Sequence, residues 1–161
     1  MQSLNAHLNF GKLGVISARY IVNFYGEETS SPLHQGFGTD RLWVRWLLES
    51  DRVKACIARD TVAARPRLSN LAEAIEFALV YKETEQPRLA DFHSRLSASR
   101  CLIEIPHDIT ALKERDPGIA RVWREATRAA FLASLKAGFT VQDFLRADTE
   151  AGQRWFYLLT R

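Results

Sequence analysis

Glu27 and Glu28, adjacent carboxylates next to Tyr25, and His34 in the same loop are the groups of this chain best suited to moving a proton. Either glutamate can deprotonate an attacking amine where desolvation lifts its pKa toward neutrality, and His34 titrates near physiological pH unaided. The plainer readings are a solvated loop tip and a lone loop histidine. The loop ends in Gly36-Phe37-Gly38-Thr39-Asp40, where Asp40 and Arg41 are candidates to grip a substrate, or a connection whose Asp40 starts the next strand. Arg124 and Arg128, one helical turn apart, suit a carboxylate or phosphate; with Glu125 alongside they also read as a solvated helix face. The residues offer no metal set, because His7 reads as a helix-surface residue and His93 and His107 lack a ligand partner one turn away. Ser94, Ser97 and Ser99 lack the Gly-x-Ser-x-Gly context of a nucleophile.

The elements that must position these groups follow from pattern. Residues 3–13 predict a short helix with Ser3 as N-cap, Leu4 with Leu8 and Ala6 with Phe10 one turn apart, and Gly14 as a left-handed stop. Residues 15–25, β-branched and aromatic, predict a strand, followed by the polar loop 26–40, long enough to be functional or mobile. A second strand spans 41–48, with Leu42, Val44, Trp46 and Leu48 on one face, and Ser50 caps a short helix over 51–59. Propensity predicts a helix over 71–81, ended by a surface connection at 82–88 that contains Pro87; the rest of 60–99 is left open.

The last third is clearer. Residues 100–105 form a strand ended by Pro106, and Asp108 starts a helical turn. Asp116-Pro117 opens a long helix whose apolar stripe is Ile119, Val122, Trp123, Ala126, Ala130, Phe131 and Leu135, with Arg121, Arg124, Glu125 and Arg128 opposite. Gly138 ends it, and strands 139–146 and 154–160 follow around a polar turn at 147–152. Trp43, Trp46, Trp123 and Trp155 read as core and sheet-covering residues. An internal echo is visible: Lys12-Leu13-Gly14-Val15 and Lys136-Ala137-Gly138-Phe139 each leave a helix through lysine, one residue, glycine and an apolar strand start, a common kind of transition.

Composition bounds the function. The chain's 161 residues, 47% hydrophobic and 25% charged, have the size and balance of one folded domain. No uncharged run is long enough to span a membrane, and the N-terminal residues lack a signal-peptide layout. Cys56 and Cys101, without metal-type spacing, read as reduced thiols of a cytoplasmic protein. The net charge of +3 is carried mostly by arginine, but basic and acidic residues are interspersed; with no basic run or aromatic RNA-binding motif, the pattern argues against nucleic-acid binding.

The segment from Asn5 to Val15, followed by Tyr20-Ile21-Val22-Asn23-Phe24-Tyr25-Gly26, resembles the GNAT superfamily of acyl-CoA-dependent acetyltransferases. A late helix of that superfamily carries an Asn-x-x-Ala-x-x-x-Tyr-x-Lys-x-Gly-Phe pattern. Aligned on Gly14, Ser3 takes the Asn position, Ala6 and Lys12 match, Val15 replaces Phe, and Phe10 stands where many members have the tyrosine that protonates the departing coenzyme A thiolate. The stretches 25–42, 102–109 (Leu-Ile-Glu-Ile-Pro-His-Asp-Ile) and 123–128 are similar to a bacterial, largely uncharacterised group of these acetyltransferases. The superfamily's Gly-rich pyrophosphate turn at a helix start has no counterpart; Gly36-Phe37-Gly38 follows no strand directly.

The resemblance implies a GNAT-like α+β domain over 1–161: a mixed, mostly antiparallel sheet flanked by helices, made of parts 1–59, 60–99 (a variable connection) and 100–161 (strand, helix and hairpin). It implies acetyl transfer from acetyl-CoA to a small-molecule or peptide amine, with Ser3, Phe10, Lys12 and Gly14 beside the cofactor, Tyr25, Glu27 and His34 as catalytic candidates, and Asp40 and Arg41 toward the substrate. Tyr20 or Tyr25 would have to replace the hydroxyl missing at position 10. The chain resembles the rear portion of such a domain, so the expected partner is either the missing N-terminal half or a second copy. The alternative is a non-catalytic binding or dimerisation module.

Overall fold

The computed structural model describes residues 2–26, 38–58, 75–81, 87–89, 99–149 and 152–161. Among these residues seven strands make one sheet in the order β2-β1-β6-β7-β5-β3-β4. They are β1 (Ile16–Ile21), β2 (Arg41–Arg45), β3 (Ile75–Tyr81), β4 (Pro87–Leu89), β5 (Arg100–Ile105), β6 (Thr140–Thr149) and β7 (Gly152–Thr160). Only β3 and β5 run parallel; every other neighbouring pair is antiparallel. The α+β class and the mostly antiparallel sheet are therefore as the sequence predicts. The helices are α1 (Ser3–Ala6), continued by a π-helical turn over His7–Lys12, then α2 (Asp51–Ala58), α3 (Ile109–Arg115) and α4 (Pro117–Lys136).

The clearest local signals hold. Asp108 caps α3, accepting from the Thr110 and Ala111 amides at 2.8 and 3.0 Å, and Asp116 caps α4 through the Ile119 amide at 2.9 Å. Pro117 sits in the first turn, where its missing N–H costs nothing. Ser50 caps α2 by accepting from the Val53 amide. Cys56 and Cys101 are buried and unbridged. Among the described residues no helix is long and apolar enough to cross a membrane.

Several elements differ from expectation. Residues 75–81 form a strand, not the end of a helix, and pair with β5 from Ile75 opposite Arg100 to Leu79 opposite Ile103. Pro87 and Arg88 belong to β4, paired with β3, instead of to a surface connection. The first strand ends at Ile21 and the second at Arg45, both shorter than the pattern suggests. The C-terminal strands reach further toward each other, to a Thr149–Gly152 pair. On α4 the expected stripe is buried at Trp123, Ala126, Ala130 and Phe131, with Ile119 and Leu135 packed against the core; Val122 is exposed instead, and Thr127 and Ser134 are buried too, returning their hydroxyl hydrogens to the Trp123 and Ala130 carbonyls one turn back. Trp123 and Trp155 are in the core, but Trp43 and Trp46 are about half exposed.

The main core lies between α4, the first helix and one face of the sheet. Phe131 stacks on Tyr20 and meets Tyr157 edge-on, and Phe10 also packs edge-on against Tyr157. A smaller cluster of Leu102, Leu145, Ala147, Phe156 and Leu158 buries the opposite face. Consecutive residues Trp155 to Leu159 are all buried, as expected of a central strand covered on both sides.

Candidate functional site

Where β1 ends, the chain turns through Asn23, whose φ of 48° is a left-handed conformation that asparagine tolerates better than most residues. This turn meets the segment Gly38-Thr39-Asp40 that enters β2. The Thr39 hydroxyl accepts from the Tyr25 amide at 2.8 Å, and its carbonyl accepts from the Phe24 amide at 3.1 Å. The Arg41 guanidinium lies 5.5 Å from the centre of the Tyr25 ring and donates to the Asp40 carbonyl.

Asp40 is the centre of this arrangement, its side chain only 6% exposed. Arg128 donates to it through Nε at 2.9 Å and Nη2 at 3.0 Å, a two-point grip. Arg124 Nη2, the Asn23 amide and the Tyr20 hydroxyl each donate to it at 3.0 Å. Arg124 also donates to the Asn23 side-chain oxygen at 3.0 Å. Burial by itself would raise the Asp40 carboxyl, but the bonds from Arg128, the Asn23 amide and Arg124 outweigh it and hold the group well below its ordinary value. Burial, with the Asp40 charge beside it, raises the Tyr20 hydroxyl far above its usual range. The bond to Asp40 raises Arg128 further.

The carboxylate that Arg124 and Arg128 clamp is thus the chain's own. Their side chains, 23% and 29% exposed, are not the solvated helix face that Glu125 suggested. Asp40 is saturated with donors, so its chemistry here is to lock the end of β1, the start of β2 and α4 together. Tyr20 has its proton held against that carboxylate. Tyr25 presents an exposed ring, and Arg41 is exposed beside it. Glu27, Glu28, His34, Gly36, Phe37 and His93 lie outside the described residues.

The four residues associated by resemblance with a cofactor lie along the first helix and its exit. Ser3 is not the N-cap; Gln2 is, and the buried Ser3 hydroxyl donates to the His107 carbonyl at 2.6 Å, tying this helix to the end of β5. Phe10 is 3% exposed. Gly14, at φ 69°, faces α2 so closely that a Cβ would meet Cys56 and the Val53 Cα at 3.1–3.2 Å. Lys12 alone of the four has an exposed side chain. Carbonyls of the π-helical turn and helix end are taken up by side chains: Arg52 donates to the Phe10 carbonyl at 3.2 Å and Trp46 to that of Leu13 at 2.9 Å, while Arg52 also donates to the Gln142 carbonyl of β6.

Sequence reasoning missed the Tyr20–Asn23–Asp40–Arg124–Arg128 network. Its one legible trace was the i, i+4 arginine pair, since the partner carboxylate lies 84 and 88 residues away. A second ion pair it missed joins Arg154 to the buried Glu104 across β7 and β5, with two bonds of 2.7 and 2.6 Å. Among the described residues no cluster of metal-ligating side chains occurs. Comparison with protein-family models, curated proteins and solved structures returns no match.

Proposed function

We propose that this chain is a GNAT-like N-acyltransferase unit, which moves an acetyl group from acetyl-CoA to a small-molecule or peptide amine within an assembly that completes the cofactor cradle. The supporting observation is that the superfamily's helix-exit spacing occurs twice, with the same physical character each time. Ser3, Ala6, Lys12 and Gly14 are answered by Thr127, Ala130, Lys136 and Gly138. In both sets the hydroxyl residue and the alanine are buried, the lysine is exposed and the glycine is left-handed.

In this reaction the amine nitrogen attacks the thioester carbonyl, the carbon–sulfur bond breaks, and the thiolate takes up a proton. A base must first remove a proton from the ammonium. Tyr25, Glu27 and His34 are the proton-moving candidates, and the Arg41 guanidinium lies over the Tyr25 ring. Lys12 is the residue of the first helix whose charge is available to an anionic cofactor.

Thermal unfolding with and without acetyl-CoA tests this reading. Ligand at about 100 times its Kd adds about 2.7 kcal/mol, which raises Tm by roughly 5–10 °C for a domain of this size. An unchanged Tm at millimolar acetyl-CoA favours the second reading, a non-catalytic binding or dimerisation module. One observation points that way: the superfamily's tyrosine position is occupied by buried Phe10 in the first set and buried Ser134 in the second, so neither presents a phenol.

A further inference from the structure

The chain builds one structural unit twice, and among the described residues one copy lacks a strand that the other has. In the second copy α4 leaves through Gly138 into β6, β7 folds back on β6, and β5 covers the far edge of β7, antiparallel. In the first copy the helix leaves through Gly14 into β1, and β2 folds back on β1. Among the described residues nothing covers the far edge of β2, which ends the sheet.

The correspondence holds in register. The pair Ser17–Val141 joins the copies, and each member is the third residue after its glycine. Tyr20 opposite Leu42 answers Phe144 opposite Tyr157, and Arg19 opposite Trp43 answers Asp143 opposite Leu158. The two ladders are irregular at the same point, between Ile16 and Arg19 in one and between Val141 and Asp143 in the other. Arg41–Arg45 therefore stands where residues 156–160 stand, and the place of β5 is on its outer edge.

We propose that this outer edge of β2 docks an extended segment of a partner polypeptide, running antiparallel to β2, apolar at its three central positions and acidic at both ends. Carried over by register, Glu104 of β5 would fall opposite Arg41, and Arg100 opposite Arg45. A carboxylate at each end therefore matches two exposed arginines, while Trp43 and Val44, 51% and 41% exposed, take the apolar centre. A second copy of β2 is the wrong occupant. Antiparallel pairing centred on Trp43 sets Arg41 against Arg45 at both ends, a like-charge arrangement that guards an edge against itself. The inference rests on the repeated unit and not on acetyl transfer.

The test is amide hydrogen exchange of the full chain, titrated with a synthetic peptide of the β5 sequence 100–105 carrying Arg100→Glu and Cys101→Ala. Saturating peptide is expected to slow exchange across residues 41–45 by about tenfold or more. A control peptide with lysine at both acidic positions is expected to give no protection, and Arg45→Glu in the protein to reverse that preference at its end. Three results overturn the proposal: no protection of 41–45, equal protection by both peptides, or protection of 41–45 in a dimer that forms without peptide.

Discussion

Ser17 of β1 and Val141 of β6 lie side by side, both without measurable solvent exposure, and among the described residues theirs is the ladder pair that joins the N-terminal strands to the rest of the sheet. The Ser17 hydroxyl is satisfied locally, donating to the Trp43 carbonyl at 2.8 Å, so the junction carries no loose polar group. Each residue follows a helix that ends in a left-handed glycine. The sheet thus contains two like hairpins set edge to edge, β2-β1 and β6-β7, each following its own helix, with β5, β3 and β4 continuing beyond β7.

The two glycines should not tolerate alanine equally. At Gly14 a Cβ meets Cys56 and the Val53 backbone, and φ is 69°; at Gly138 φ is 88°, but nothing lies within 4 Å. Gly14→Ala is expected to cost about 2–3 kcal/mol, through crowding added to backbone strain, and Gly138→Ala about 1 kcal/mol, through strain alone. Urea unfolding monitored by circular dichroism checks the order.

Asp40 should make stability depend on acid. Its folded pKa lies below the ordinary 3.8, so the unfolded chain binds the proton more readily. The contribution is therefore present above about pH 5 and lost progressively as pH falls through 4 and below. Asp40→Asn is expected to cost about 3 kcal/mol at pH 7, because Arg124 and Arg128 lose their charge partner in a mostly buried site. That difference should shrink by pH 3, read as converging urea midpoints.

Gly38 and Arg124 should be energetically coupled. A Cβ at Gly38 would fall on the Arg124 guanidinium, which its bonds to Asp40 and Asn23 keep from swinging away. Gly38→Ala is expected to cost about 1–2 kcal/mol in the native chain and clearly less beside Arg124→Ala. A double-mutant cycle on unfolding free energies measures the difference, and strict additivity would contradict the contact.

What the sequence revealed was decided by how far each signal reaches. Asp116-Pro117 announces α4 because cap and first-turn proline act within one turn. The Ala- and Leu-rich run before Tyr81 misleads because its helix propensity is local, whereas its strand state comes from pairing with β5. Ser3 has the chemistry of a cap, yet its hydroxyl is used by a carbonyl 104 residues away. The Lys-x-Gly echo was visible as letters, but it acquired meaning only through the pairing of Ser17 with Val141. Asp40 and its two arginines are each conspicuous in the sequence, but nothing in their spacing joins them.

The claim that the first helix helps cradle acetyl-CoA is tested most directly by mapping amide hydrogen exchange with and without that ligand. Protection is expected to concentrate in the helix exit at residues 12–15 and to weaken with Lys12→Ala without loss of fold. Saturating acetyl-CoA that leaves 12–15 unchanged, or protects only segments remote from the first helix, would contradict it.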